Sequence, residues 1–312
     1  MVRALCRLSL FVVLVLGAAR VALAQRPGSV EKPRPRETED ASVKGRQPAA
    51  TPAPVMNVPA SGRYRVVLAG FRVNNESYDT FLETDGKGDE IRLNADVQEF
   101  GPDGQPLGAV RRLQTVIYGD RNKFPSRITA GSRSAKGGLQ TLDNVPAVRD
   151  PWVVRDAPQP DHLPLLLWEG ELRTGQNLVA IAPTVWELDS DDALNPANMV
   201  LALGDIGNNV LPVAQRLPGV GALSELLITG AKPAFTVATM VKESGNRPIG
   251  LSPGTDGYNF VPQIVALTTR SAELALAGSG GARSAGVVEV RYRDAAELKG
   301  DYSLFLRIER LP

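Results

Sequence analysis

The sequence predicts a mainly β protein, an antiparallel β-sandwich with one or two short helices in the middle of the domain. Three observations carry that reading. After residue 62 the chain breaks into short apolar segments separated by clusters of Gly, Pro, Asn and Asp, the punctuation of strands and turns. Within these segments apolar and polar residues alternate, as a strand with one face on a core demands. The 312 residues are 43% hydrophobic and 22% charged, which is ordinary globular composition and leaves enough chain for one large all-β domain.

Taken in order, residues 1–24 place Arg3 and Arg7 before an apolar run from Leu8 to Ala18 and end in Ala22-Leu23-Ala24. This is the pattern of a secretory signal peptide with a small-x-small cleavage site. Arg20 interrupts the apolar region, which falls short of the roughly 20 residues of a membrane helix, so a retained anchor is the weaker reading. Cys6 precedes the apolar run, where a lipoprotein cysteine would follow it. The expected destination is the periplasm or the extracellular medium, with no membrane span after cleavage.

Residues 25–61 hold seven prolines, six basic and four acidic residues and no aromatic residue. Such a segment buries too little to offset its ordering entropy and reads as a disordered Pro-rich linker. Residues 62–312 form the expected sandwich. Its first strand lies near 63–73. In 90–100, Ile91, Leu93, Ala95 and Val97 face one way and Arg92, Asn94, Asp96 and Gln98 the other, so one face is expected on the core and one in water. Gly101-Pro102-Asp103-Gly104 is a turn, since Pro presets φ and Gly tolerates positive φ, and it leads into a strand near 110–118 to make a hairpin.

Residues 119–162 are rich in Gly, Ser, Arg and Pro and predict a long irregular excursion. Segments 165–172 and 178–188 read as two strands joined by 173–177. Asn195-Pro196 has the form of a helix start, with a helix to about residue 203 and a second helical stretch near 211–229. Strands near 235–242, 260–268, 287–293 and 302–310 complete the set, Pro262 marking its strand as an edge or a bulge.

One Cys and one His exclude structural zinc, haem, copper and disulfide chemistry. From residue 62 onward the chain carries 26 basic and 30 acidic residues, a net of −4 with no basic block, which argues against a nucleic-acid or anionic-membrane partner. No Gly-x-Ser-x-Gly elbow occurs, and a serine triad would need His162 in its Pro-bounded loop. Gly278 to Gly281 with Arg283 could cradle an anion but lacks the ending of a phosphate loop.

The most chemical stretch is 79–90, where Asp79, Glu83, Asp85, Asp89 and Glu90 surround Gly86 and Gly88. A second acidic run holds Glu187, Asp189, Asp191 and Asp192. Carboxylates gathered on Gly-bent loops suit Ca²⁺, and two acidic loops meeting at one end of a sandwich would repel unless a cation or an Arg neutralised them. The competing reading gives the glycines and acids to turn geometry and helix capping. In outline, though in no motif, the arrangement resembles jelly-roll and C2-type calcium-binding sandwiches.

Trp168-Glu169 and Trp186-Glu187 raise a glycosidase reading, since such enzymes set two carboxylates beside aromatic residues. Pairing the two strands about Gly175 would place the carboxylates about 20 Å apart along one face, too far for concerted work. The tryptophans read as core, or, if both stand on an exposed face, as a sugar-binding platform. The sequence therefore points to a secreted or periplasmic binding or structural module, calcium-stabilised through Asp79, Glu83, Asp85, Asp89, Glu90, Asp189 and Asp191, with a protein or glycan partner in the envelope or outside the cell. The alternative is an extracellular carbohydrate-active or other hydrolytic enzyme using these carboxylates.

Overall fold

The computed structural model describes residues 57–77, 88–119, 137–188, 247–255 and 257–312, and the backbone of 227–229 and 235–237. Antiparallel sheets pack face to face around one apolar core, the β-sandwich the alternation calls for. The first sheet has five strands. β1 (Ser61–Asn75) is its axis, with β14 (Asp301–Arg310) on one side and β13 (Val287–Arg293) beyond it; β5 (Leu165–Arg173) and β4 (Asn144–Val145) share the other side of β1.

The second sheet runs β3 (Pro106–Gln114), β2 (Ile91–Phe100), β6 (Leu178–Glu187), β12 (Gln263–Leu267), β7 (Leu227–Thr229), and β9 (Arg247–Pro248) pairs with the far end of β6. A small third sheet holds β10 (Leu251–Gly254), β11 (Gly257–Phe260) and β8 (Phe235–Val237).

Alternation explains which residues fill the core, with one break. Along β1, Tyr64, Val66 and Leu68 point inward, the register slips between Leu68 and Gly70, and inward residues resume at Phe71 and Val73. A bulge reverses the parity of a strand without losing its apolar face. They meet Leu304, Leu306 and Ile308 of β14, Val288 and Val290 of β13, and Ile91, Leu93 and Val97 of β2. Gly70 lies where residue 145 and Pro151 press on β1: a Cβ there would stand 2.6 Å from the Val145 carbonyl oxygen.

The β2–β3 hairpin forms about the expected turn, with Gly101 accepting from the Gly104 amide and Gly104 at positive φ, but its second strand runs 106–114 rather than 110–118. Residues 165–173 and 178–187 are strands, but they are not paired with each other: β5 joins β1 in the first sheet and β6 joins β2 in the second. The short connection crosses the sandwich, because both strands carry apolar residues that must face the same core from opposite sides. Pro262 falls between β11 and β12 rather than inside a strand, as its missing N–H requires.

The helix start at 195–196 lies outside the described residues, as does most of 211–229, whose last three residues are strand β7. A helix the sequence reading did not place, α1 (Thr269–Leu276), follows β12. Thr268 accepts from the Ser271 amide at 3.1 Å and the Ser271 hydroxyl accepts from the Thr268 amide at 2.8 Å. This is a reciprocal capping box with Ser in place of the usual Glu or Gln, and Gly278 at φ +72° closes the other end.

The described part of the long excursion, 137–162, is irregular apart from β4 and a 3-10 turn at Pro151–Val153. It is anchored by Arg72, which donates to Asn144 Oδ1 and the Arg149 carbonyl, both at 2.8 Å. Trp152 packs on Phe305 at 4.6 Å between ring centres and lies under the Arg283 guanidinium at 4.6 Å. The expected wet face of β2 is a correction: Asn94, Asp96 and Gln98 are at most 4% exposed. β6 is buried at all ten positions, so its sheet is covered on both faces, and β2 beside it shares that cover.

Thr268→Ala, which removes the side-chain acceptor of the buried cap, is expected to lower the unfolding free energy by about 1 kcal/mol in urea denaturation.

Candidate functional site

Of the acidic residues singled out above, the structure describes Asp89, Glu90 and Glu187. Asp79, Glu83, Asp85, Asp189, Asp191 and Asp192 lie outside the described residues. Asp89 is 2% exposed, and its carboxylate accepts from the Ser77 amide at 2.7 Å, the Ser77 hydroxyl at 3.4 Å and the Tyr302 hydroxyl. Burial pushes its pKa up, and these hydrogen bonds with the charge of Arg247 work against that rise. Glu90 is also buried, and its carbonyl accepts from the Leu188 amide at 2.9 Å.

Glu187 ends β6 directly opposite Arg247 of β9. Arg247, itself 3% exposed, lies 3.4 Å from Glu187 and 2.7 Å from Asp294, which follows β13 in the other sheet. Asp294 also accepts from the Gly250 amide at 2.7 Å and the Leu251 amide at 2.9 Å. Burial alone would lower the pKa of Arg247, but Glu187 and Asp294 hold it above its ordinary value. The sequence reading asked for a cation or an Arg to neutralise the acids at this end, and for Glu187 that group is Arg247. Among the described residues no group of three or more His, Cys, Asp or Glu side chains is disposed around a metal position.

The two tryptophans do not share a face. Trp168 lies in the core, 1% exposed, its indole N–H donating across the sandwich to Glu99 at 2.8 Å. Trp186 is 6% exposed on the outer side of the second sheet and donates to the Thr184 hydroxyl at 3.2 Å. An exposed platform built from both is therefore corrected: the strands that carry them belong to different sheets. Glu169 stands on the outer face of the first sheet beside Arg65 at 2.9 Å and Arg63 at 3.4 Å, whereas Glu187 is inside. The two carboxylates of the glycosidase reading do not face each other.

The feature the sequence reading missed is the outward row of β2. Arg92 stands opposite Trp186 of β6, Asn94 between Thr184 of β6 and Gln114 of β3, and Asp96 between Ala182 and Arg112. Gln98 at the end of the row is satisfied: its amide donates to the carbonyls of Glu99 at 2.9 Å, Gly108 at 3.3 Å and Leu107 at 3.4 Å, filling the gap where β3 bulges. The other three are not. Arg92 Nε, Asn94 Nδ2 and both carboxylate oxygens of Asp96 are buried without a hydrogen-bond partner.

Arg112 is an ion-pair neighbour of Asp96 at 3.7 Å, too long for a hydrogen bond. Burial raises the pKa of Asp96 to about 6 against the opposing charge of Arg112, and burial lowers that of Arg92. The unbroken apolar run of β6 was the available signal that this face is covered.

Replacing Arg247 with Leu leaves buried carboxylates without their cation and is expected to cost about 3–5 kcal/mol. The carboxyls of Asp294 and Asp89, already raised by burial and held down in part by Arg247, then rise further above their unfolded values, so the loss should shrink as pH falls toward the unfolded carboxylate range, which urea unfolding at pH 5 and pH 8 would test. Asp89→Ala is expected to lower the melting temperature by the same amount in calcium and in chelator, since the Asp89 oxygens are held by Ser77 and Tyr302. No protein-family model matches the chain, and no characterised protein and no solved structure is significantly similar to it.

Proposed function

We propose that the chain is a non-catalytic binding module that works outside the cytoplasm, delivered by the signal at 1–24 and spaced by the linker at 25–61. Its ligand meets the outer row of the second sheet at Arg92, the half-buried member, with Asn94 and Asp96 buried behind it at no more than 4% exposure. The observation that supports this reading is the set of buried donors and acceptors on that row with no internal partner. An unpaired buried polar group costs about 1–3 kcal/mol, and folded proteins carry few of them. A strand with no external role would replace all three by apolar residues and gain stability. Their presence fits a surface whose partner is another molecule.

Glu169 and Glu187 offer no acid pair to a hydrolase, and the reading assigns neither a chemical role. Calcium enters it as an ion that fixes loops, resting on Asp79, Glu83, Asp85, Asp189 and Asp191. A calcium titration of the full chain that left the melting temperature unmoved would remove that part.

The test of the binding face is the pair Arg92→Gln and Asp96→Asn, separately and combined, in thermal unfolding of the full chain. Groups reserved for a ligand are expected to leave the melting temperature equal to or above wild type. A clear fall would show that the row holds the fold together and would overturn the reading. Asp96 also gives a pH signature. Its folded pKa, about 6, lies above the unfolded one, so its contribution is fullest below about pH 4 and fades as pH rises through 6. Asp96→Asn should flatten the stability profile in that window.

A further inference from the structure

We infer that the outer face of the first sheet docks on an anionic lipid surface, through arginines that the strands gather and apolar side chains raised among them. This is a second surface, independent of the row at Arg92. The sequence holds no basic block, but the fold assembles one. Outward positions bring Arg63, Arg65 and Arg72 of β1 beside Arg291 and Arg293 of β13 and Arg307 of β14. No strand gives more than three, spaced at alternate residues that share a face.

The ion pairs on this face leave it positive. Glu169 is shared by Arg63 and Arg65, Glu309 by Arg65, Arg155 and Arg307, and Asp301 by Arg291 and Arg293. Six arginines thus stand on three carboxylates. Arg72 has neutral partners, Asn144 Oδ1 and the Arg149 carbonyl, while Arg173 with Glu171 and Arg283 with Glu289 cancel one for one. On the segment that crosses the face, Asp150 and Asp156 outnumber Arg149 by one, so its described residues keep a net charge of +3.

Height sharpens the imbalance. The side chains of Arg63, Arg155, Arg291 and Arg293 are 47–69% exposed, and those of the three shared carboxylates 10–29%. The acids lie low on the sheet with guanidinium groups over them, and an approaching surface meets positive charge first.

Apolar side chains give the second, independent signal. Residues 145–155 cross this face: Val145 pairs with Phe71, Pro151 presses on Gly70, Trp152 lies on Phe305 under Arg283, and the Val154 carbonyl accepts from Arg307. With Trp152 turned to the sheet, Val148 and Val153 are left 41% and 54% exposed. Leu142, where the same segment meets β1 at Val73, is 61% exposed at φ +74°. That backbone favours Gly or Asn, and a Leu held there in solvent buries little in return. Of the five large apolar side chains exposed among the described residues, three fall within 142–153.

Charge alone would suit any anionic polymer. Apolar tips among arginines suit a bilayer interface, where phosphodiesters meet the guanidinium forks and short apolar side chains enter the acyl boundary.

The full chain is sedimented with vesicles of phosphatidylcholine alone or with about a third phosphatidylglycerol, and titrated with dextran sulfate as a soluble anionic polymer. Binding to the anionic vesicles is expected to be about tenfold or more tighter than to the neutral ones, and to weaken as salt rises. Contributions from the apolar run at 8–18 and the charges of 25–61 are the same in every variant, so substitutions on the face decide. Arg155→Gln combined with Arg293→Gln leaves Glu309 and Asp301 other arginines and is expected to weaken anionic-vesicle binding about tenfold or more. Arg155→Lys with Arg293→Lys, which keeps the charge, should retain most of it. Val148→Ser with Val153→Ser should weaken vesicle binding about threefold or more and leave dextran sulfate binding unchanged.

Equal binding to neutral and anionic vesicles overturns the inference, as does a Gln pair that binds like wild type. Val substitutions that leave vesicle binding unmoved, with dextran sulfate bound as tightly as vesicles, would assign the face to a soluble polymer and overturn the lipid reading. If the Gln pair lowers the melting temperature, the salt titration of the unaltered chain decides, and binding that does not fall with salt rejects the inference.

Discussion

Arg247 is the constraint on which one end of the sandwich depends. It sits on a two-residue strand of one sheet and reaches Asp294, which leaves the last turn of the other. With Glu187 beside it and Asp89 near enough to feel its charge, a single guanidinium ties the end of the second sheet to the turn that follows β13 in the first. Apolar contact between two sheets fixes their distance but leaves them free to slide, because dispersion and burial are not directional. A charged hydrogen bond is directional. At the other end the indole of Trp168 bonded to Glu99 does the same work with a neutral donor. The core is thus clipped at both ends by polar contacts that cross it.

Carboxylates in this fold take their character from position. Glu169 and Glu309 on the outside of the first sheet share exposed arginines, where ion pairs contribute little to stability. Asp89 and Asp294, inside, are held by donors that the fold supplies, and Glu187 stands against Arg247 at 3.4 Å. Asp96, equally buried, has none. Asp89 accepts hydrogen bonds from Ser77 and Tyr302, whereas Asp96 has only the charge of Arg112 at 3.7 Å.

What the sequence disclosed followed the range of the interaction. The β2–β3 hairpin, β13 and β14 were legible because alternation and the Gly-Pro-Asp-Gly turn are local. The crossing of β5 to β6 was not, since a short connection between two strands reads the same whether it turns or bridges. Helix α1 escaped because its capping residue, Ser271, is not the Glu or Gln that marks a box. Arg247 lay in a Ser-Gly-Asn-Arg-Pro stretch with the look of a loop, its partner Asp294 forty-seven residues away. The row on β2 was read correctly as polar and wrongly as wet: alternation tells which residues share a face but not what covers it.

The amide of Gln98 has an effect that reaches beyond this molecule. β3 is an outermost strand, and a regular edge strand presents a ladder that a second chain can extend. Here the strand bulges between Leu107 and Arg111, and Gln98 fills the bulge with its own hydrogen bonds to the Leu107 and Gly108 carbonyls. Leu107 and Val110 are exposed on it, a combination that invites sheet-to-sheet aggregation on a flat edge. The bend interrupts the spacing that a growing fibril would copy, so an apolar rim on this strand can stay open to solvent without becoming a seed.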